Sequence, residues 1–343
     1  MLRPTSSMLR RCSLVAAALA VVAFTPSRAH AQFGSLWFFG DSFTDVGNAS
    51  GLSALNNLPN PTPPPYLQGR FSNGPVWSEN FALRLGMPAA AGPAWLKAGN
   101  NYAVGGARTG PLGALGSLTG MQSQALQYGQ DQGVADPTGL YVLWGGGNDL
   151  TDAVSLASPA DRLAAVQTAA ANLSQIALGL HQAGARNFLV PLLPNLGAAP
   201  EYAGKPMEAA IASSLTNVFN QLLGIGIQQL GFLPGVSAYG LNLDNLLTNI
   251  QIDAAGGGQL YGITNTTTPC FLLLQVNPQA CNTAAFVDAK HPTEIVGALI
   301  ADAAYNRVIN GQDVAVIPEP ATVLLVAGGL ALMGVVARRR KSA

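Results

Sequence analysis

Short apolar runs that end in a glycine turn and then give way to a longer helical pattern constrain this chain more than any other feature. The strand candidates are Ser35–Phe39, Tyr102–Val104, Tyr141–Trp144 and Asn187–Leu192. The helical candidates are Val76–Leu85, Met121–Gln130, Pro159–Ala183, Lys205–Leu230 and Thr293–Asn310. Strands alternating with helices at this spacing favour right-handed βαβ units and a parallel sheet. In such a sheet, sites gather in the loops at the carboxyl ends of strands. Gly40–Ser42, Gly105-Gly106 and Gly145–Asn148 all fall at such ends, which is a reason to expect them together in space. No internal repeat breaks the stretch from 34 to 312.

The two ends differ from this pattern. Residues 1–31 carry Arg3, Arg10 and Arg11, an apolar run from Cys12 to Phe24 and the small-x-small signal Ala29-His30-Ala31. This is the layout of a secretory signal peptide cleaved before Gln32. At the other end, Pro318-Glu319-Pro320 precedes an apolar stretch from Ala321 to Ala337 and the basic run Arg338-Arg339-Arg340-Lys341. That stretch is just long enough to span a bilayer, with the basic run on the cytoplasmic side. The expected division is a signal peptide over 1–31, one α/β domain over 32–316 and a C-terminal segment over 317–343.

Without the ends, the charge balance changes sign. Residues 32–317 hold 9 Lys and Arg against 16 Asp and Glu, a net charge of −7. An acidic domain with no basic run argues against nucleic acid or an anionic membrane as partner. Cys12 leaves with the signal peptide, and Cys270 and Cys281 remain in an exported domain, so one disulfide between them is expected.

A serine hydroxyl needs a base to act as a nucleophile, and histidine is the usual one. Ser42 lies on the glycine-bracketed turn after the first strand. Of the three histidines, His30 leaves with the signal peptide and His181 closes a long helical pattern, so His291 is the candidate base. Asp288, three residues earlier, could fix its tautomer. Asp288 or Thr293 could equally cap the helix that follows. The glycine turns at Gly105-Gly106 and Gly145–Asn148 could supply backbone N–H donors, and Asn148 a side-chain amide, to a developing oxyanion. Asp41 and Asp45 lack partner ligands at metal spacing; Asp41 is expected to shape the turn and Asp149 to hold its own loop. The five-proline stretch Leu58–Tyr66 could touch substrate or stiffen the surface. No Gly-x-Ser-x-Gly elbow is present.

Taken together, Gly40-Asp41-Ser42 with Asn48, Val104-Gly105-Gly106-Ala107, Gly146-Gly147-Asn148-Asp149 and Asp288-x-x-His291 resemble, in content and order, the four blocks of the GDSL or SGNH hydrolase superfamily. Phe43 stands where the family name has leucine, as in the lipase-like branch. Gly69–Trp77 is similar to the segment that follows the first block there. The resemblance covers roughly 34–310. It implies a three-layer α/β/α sandwich, flavodoxin-like, with a central parallel sheet of about five strands. It implies an esterase or lipase with Ser42 as nucleophile, His291 as base and Asp288 as its orienter. The oxyanion donors would be the Ser42 and Gly106 N–H groups and the Asn148 side chain. No metal or organic cofactor is implied. The tail resembles the PEP-CTERM sorting signal of Gram-negative bacteria, which implies an exosortase as partner beside signal peptidase, transient inner-membrane anchoring and display at or beyond the cell surface. The expected substrate is a small-molecule, lipid or carbohydrate ester. A non-catalytic surface or matrix protein and a polysaccharide O-acetyl esterase are the alternatives.

Overall fold

The computed structural model describes residues 33–316 apart from Ser117; the expected signal peptide over 1–31 and the expected C-terminal segment over 317–343 lie outside the described residues. Four parallel strands, β1 (Leu36–Gly40), β2 (Leu140–Trp144), β3 (Asn187–Pro191) and β4 (Ser237–Leu241), form one sheet in the order β1-β2-β3-β4. Every residue of β1 and β2 is buried. This explains why their sequences are continuous apolar runs rather than alternating ones: both faces of the sheet are covered.

The expected strand at Tyr102–Val104 is present as an extended segment beside β1. Tyr102 N–H donates to Phe38 O at 2.8 Å and Val104 N–H to Gly40 O at 3.2 Å. Only one isolated bridge, Phe38 to Asn101, closes there, so the sheet has four full strands and a fifth, incomplete edge. β4 was not expected. Its sequence, Ser-Ala-Tyr-Gly-Leu, is half-exposed and carries neither an apolar run nor an alternation.

Eight helices of two turns or more pack around the sheet within the described residues: α1 (Asn48–Leu55), α2 (Trp77–Arg84), α3 (Met121–Gln132), α4 (Gly147–Val154), α5 (Pro159–Gln182), α6 (Pro206–Gly231), α7 (Leu243–Ala255) and α8 (Glu294–Asn310). α5 packs on α6 and α2 on α8, and β4 touches both α6 and α8. The chain is thus an α/β/α sandwich. α5 and α6 are long and apolar enough to cross a membrane by composition alone. Their apolar stripes are used otherwise: Val166, Ala169, Leu173, Ile176 and Leu180 on α5, and Ala212, Leu215, Phe219 and Leu223 on α6, recur at three- and four-residue intervals and are buried in the core.

In the β1–β2 register Gly40 stands opposite Trp144. The turns that follow the two strands are therefore neighbours. The site is built on that line.

Candidate active site

Ser42 occupies the turn between β1 and α1 and is 7% exposed. Asp41 O accepts from both Thr44 N and Asp45 N at 3.0 Å, and the Asp41 carboxylate accepts from Phe43 N at 3.0 Å. Asp41 thus shapes the turn, as expected. Burial pushes its carboxyl up to about 6, against the Phe43 N–H and the charge of His291. Asp45 is fully buried and accepts from the N–H groups of Gly47, Asn48, Ala49 and Gly105, the last at 2.7 Å. Asn48 works beside it: its amide donates to Asn101 O and Ala103 O. These two side chains fasten the Ser42 turn to the edge segment and to the glycine turn beyond it.

His291 arrives from the far end of the chain on a tight loop. Phe286 and Pro292 form an antiparallel bridge, and Val287 N–H donates to His291 O at 2.9 Å. Asp288 Oδ1 closes the loop by accepting from Lys290 N and His291 N. Its Oδ2 lies 2.6 Å from His291 Nδ1, and His291 Nε2 lies 2.7 Å from Ser42 Oγ. With Nδ1–H donated to the carboxylate, Nε2 carries the free lone pair and accepts the Ser42 hydroxyl. Burial alone would raise the Asp288 carboxyl. The hydrogen bond and charge of His291, with the Tyr66 hydroxyl and the Lys290 N–H, instead hold it well below the usual carboxylate range.

Of the two helix-cap alternatives, Thr293 holds the N-cap position, without a side-chain cap hydrogen bond. Its hydroxyl donates to Ala284 O. The Glu294 N–H at the helix start is capped by Asn73 Oδ1, from the Gly69–Trp77 segment. Ser72 of that segment donates to Pro292 O, and the Phe71 ring lies 5.1 Å from the imidazole of His291. Phe43 meets the same imidazole edge-on at 5.8 Å. Neither Phe71 nor Asn73 has a signal in the sequence beyond membership of that segment, because each acts across some 220 residues.

The Gly105 N–H is taken by Asp45. Gly106, next to it, sits at φ 76°, and a Cβ there would meet the Ala114 Cβ at 2.4 Å, so only glycine fits. Asn148 enters from the start of α4 after Gly146 at φ 106°. One of its amide hydrogens goes to Ala107 O at 2.9 Å, which ties the asparagine turn to the glycine turn. Ser42 and Asn148 line one cavity with Thr151, Asn195 and Glu201. Asp149 holds the neighbouring loop as well as its own: it accepts from Thr109 N and Thr109 Oγ1 and from its own N–H. His181 sits at the C-terminal end of α5, 3.3 Å from Ala185 O and beside Arg186, away from these turns.

A second cavity adjoins the first; Phe43, Pro194, Leu247, Phe286 and Lys290 line both. Its remaining wall is apolar, from Trp144, Leu246, Ile250, Val296 and Ile300 among others. Lys290 pairs with Glu201 at 3.1 Å at the shared wall. Trp77 and Trp144 are buried core residues, at 1% and 2% exposure, and Trp95 donates its indole N–H to Tyr102 O. Among the described residues no cluster of three or more His, Cys, Asp or Glu side chains is placed to hold a metal ion. Cys270 and Cys281 form a disulfide.

The profile of the GDSL-like lipase/acylhydrolase family matches residues 36–304, and that of the PEP-CTERM protein-sorting motif matches residues 316–341. An uncharacterised Pseudomonas putida protein from the trpE–trpG intergenic region is 31% identical over 350 residues, covering 91% of this chain and 55% of its own length. Esterase EstA of Pseudomonas aeruginosa is 30% identical over 355 residues, covering 90% and 52%. The chain therefore spans about half the length of these curated relatives. Among solved structures, a variant of Axe2, an acetyl-xylooligosaccharide esterase from Geobacillus, covers 83% of this chain and 100% of its own at 13% identity, with a TM-score of 0.41.

Proposed function

The chain belongs to the GDSL-like lipase/acylhydrolase family, and from that premise we propose that it is an exported serine hydrolase that cleaves carboxylic esters through an acyl-enzyme on Ser42. The observation that carries this reading is the unbroken relay from Ser42 Oγ through His291 to Asp288, at 2.7 and 2.6 Å. Ser42 Oγ attacks the ester carbonyl carbon while its proton passes to His291 Nε2. Asp288 stabilises the imidazolium and does not take the proton. The carbonyl oxygen becomes an oxyanion held by the Ser42 N–H, the Gly106 N–H and the free amide hydrogen of Asn148. Collapse returns the His291 proton to the alcohol that leaves. Water, deprotonated by His291, then cleaves the acyl-enzyme and regenerates Ser42.

Two features favour a carboxylic ester with an apolar chain over an acetylated sugar. The cavity that adjoins the Ser42 cavity is apolar, with Trp144 in its wall, and Trp77, buried in the core and lining neither cavity, offers no face for sugar stacking. The intact relay weighs against a non-catalytic binding protein on the same fold.

The PEP-CTERM motif implies export in a Gram-negative cell. Signal peptidase would remove residues 1–31, the C-terminal segment would hold the protein briefly in the inner membrane, and an exosortase would release it towards the cell surface or matrix. Disulfide formation between Cys270 and Cys281 suits such an oxidising destination.

The test is hydrolysis of p-nitrophenyl acetate, hexanoate and palmitate by the purified protein and by its Ser42→Ala variant. Turnover that falls by about 10⁴-fold in the variant supports the reading. Equal turnover in the two proteins overturns it.

A further inference from the structure

The proline-rich stretch and the disulfide loop have no place in the mechanism above, yet they converge on it through one side chain. Tyr66, the last residue of the proline-rich stretch, donates its hydroxyl to Asp288 Oδ2 at 2.5 Å. That oxygen is also the one that receives His291 Nδ1–H. The phenol ring lies 5.0 Å from Phe271 and 6.1 Å from Phe71, both edge-on. Phe71 in turn lies against His291.

Phe271 is held independently. It belongs to the loop closed by Cys270 and Cys281, and that loop is bonded to the segment that carries Asp288: Cys270 N–H donates to Phe286 O and Phe271 N–H to Val287 O. Cys270, Cys281, Ala280, Ala284 and Val287 form a small buried core of their own, on which Tyr66 and Phe271 pack. One wall of Tyr66 therefore comes from the disulfide loop and the other from the Gly69–Trp77 segment.

We propose that Tyr66 is a positioning residue, whose hydroxyl fixes the Asp288 carboxylate in line with His291 and drains charge from the oxygen that faces the imidazole. The proposal rests on the serine-hydrolase reading for its consequence in catalysis. The hydroxyl is not needed to anchor the proline-rich stretch, which has its own ties. Ser50 bonds Thr62 at 2.6 Å, Thr62 N–H donates to Asn60, and Leu67 N–H donates to Ser72 O. Burial and the neighbouring carboxylate push the phenol up, so it stays a donor throughout the working range.

The ionisable groups around the pair are Asp41, the Lys290–Glu201 ion pair, the Arg70–Glu79 ion pair on the segment that carries Phe71, and Glu294 at the start of α8. Among the described residues none of their side chains is bonded to Asp288. An Asp288 oxygen that loses its phenol donor becomes a better acceptor for His291 and holds the imidazolium more firmly. The acid limb of the kcat/KM profile then moves to higher pH.

Tyr66→Phe, in the full protein, keeps the ring and removes the donor. The expected result is a fall in kcat of about tenfold, the scale of one hydrogen bond to a charged group, with KM nearly constant. The acid limb should rise by about 0.5 pH unit. The low-field proton NMR signal of the His291–Asp288 bond should move further downfield. Phe271→Ala should displace the same readouts in the same direction by less. An acid limb and a low-field signal that stay at wild-type positions in Tyr66→Phe overturn the proposal, including the case where only the melting temperature falls. The NMR signal needs no turnover, so it decides the role of Tyr66 even if wild type and Ser42→Ala prove equally active, which would overturn the serine-hydrolase reading instead.

Discussion

Asp45 and Gly105 are joined by a 2.7 Å hydrogen bond from the Gly105 N–H to a fully buried carboxylate. The same side chain receives three more backbone N–H groups, from Gly47, Asn48 and Ala49. It therefore fixes the distance between the turn that carries Ser42 and the turn that carries Gly106. Asp45→Ala leaves three buried N–H donors and one part-buried one without this acceptor. The expected cost is about 3–5 kcal/mol of folding stability, read from urea denaturation. A loss under 1 kcal/mol would show that water or a local shift replaces the carboxylate.

Asp41 has fewer partners and a clear pH signature. Its carboxyl is raised from 3.8 to about 6, chiefly by burial. A raised acid favours the fold while protonated: its contribution is fully present below pH 3.8 and is lost as pH rises through 6. Above pH 6 the native state therefore carries a buried charge at a cost. Asp41→Asn removes the charge and keeps an acceptor for the Phe43 N–H. The variant should gain stability over wild type by about 1–3 kcal/mol at pH 7, and the gain should shrink to nothing by pH 4. Thermal melts of both proteins between pH 4 and 8 check this; a gain that does not vary with pH contradicts it.

Asn148 has one amide hydrogen committed to Ala107 O, and the proposed mechanism assigns the other to the oxyanion. Asn148→Ala should lower kcat by about 10²–10³-fold with a small change in KM. A rise in KM with kcat intact would mark Asn148 as a substrate-binding group instead.

The apolar cavity next to Ser42 should read the chain of the ester. Ile250 lines it away from the relay. Ile250→Trp fills it and should lower the hexanoate-to-acetate ratio of kcat/KM by about 15- to 60-fold, since two or three buried methylenes are lost at about 0.8 kcal/mol each. An unchanged ratio would place the chain elsewhere.

Much of this site was legible in the sequence because its chemistry is local in type even where it is distant in position. Ser42 follows an all-apolar strand, and His291 has its aspartate three residues away. The glycine turns are marked by the backbone angles they require, φ 76° at Gly106 and φ 106° at Gly146. What the sequence hid depends on contact across the fold. β4 is a half-exposed edge strand whose Ser-Ala-Tyr-Gly-Leu has no strand pattern. α1 contains two serines and a glycine, and its first turn is held by Asp45 rather than by helix propensity. Asn73 caps α8 from more than two hundred residues away, and Tyr66 reaches Asp288 across a similar span. No local pattern encodes either pairing.

The central claim is that Ser42 forms a covalent intermediate, and labelling tests it most directly. The purified protein is treated with a fluorophosphonate, and intact mass and the labelled peptide are determined for wild type, Ser42→Ala and His291→Ala. The account predicts one adduct per chain on the peptide that contains Ser42, none in Ser42→Ala, and labelling slowed by about 10³-fold or more in His291→Ala, because an unassisted hydroxyl is a weak nucleophile. An unlabelled wild-type protein that is folded, or a label carried on another residue and retained in Ser42→Ala, would contradict it.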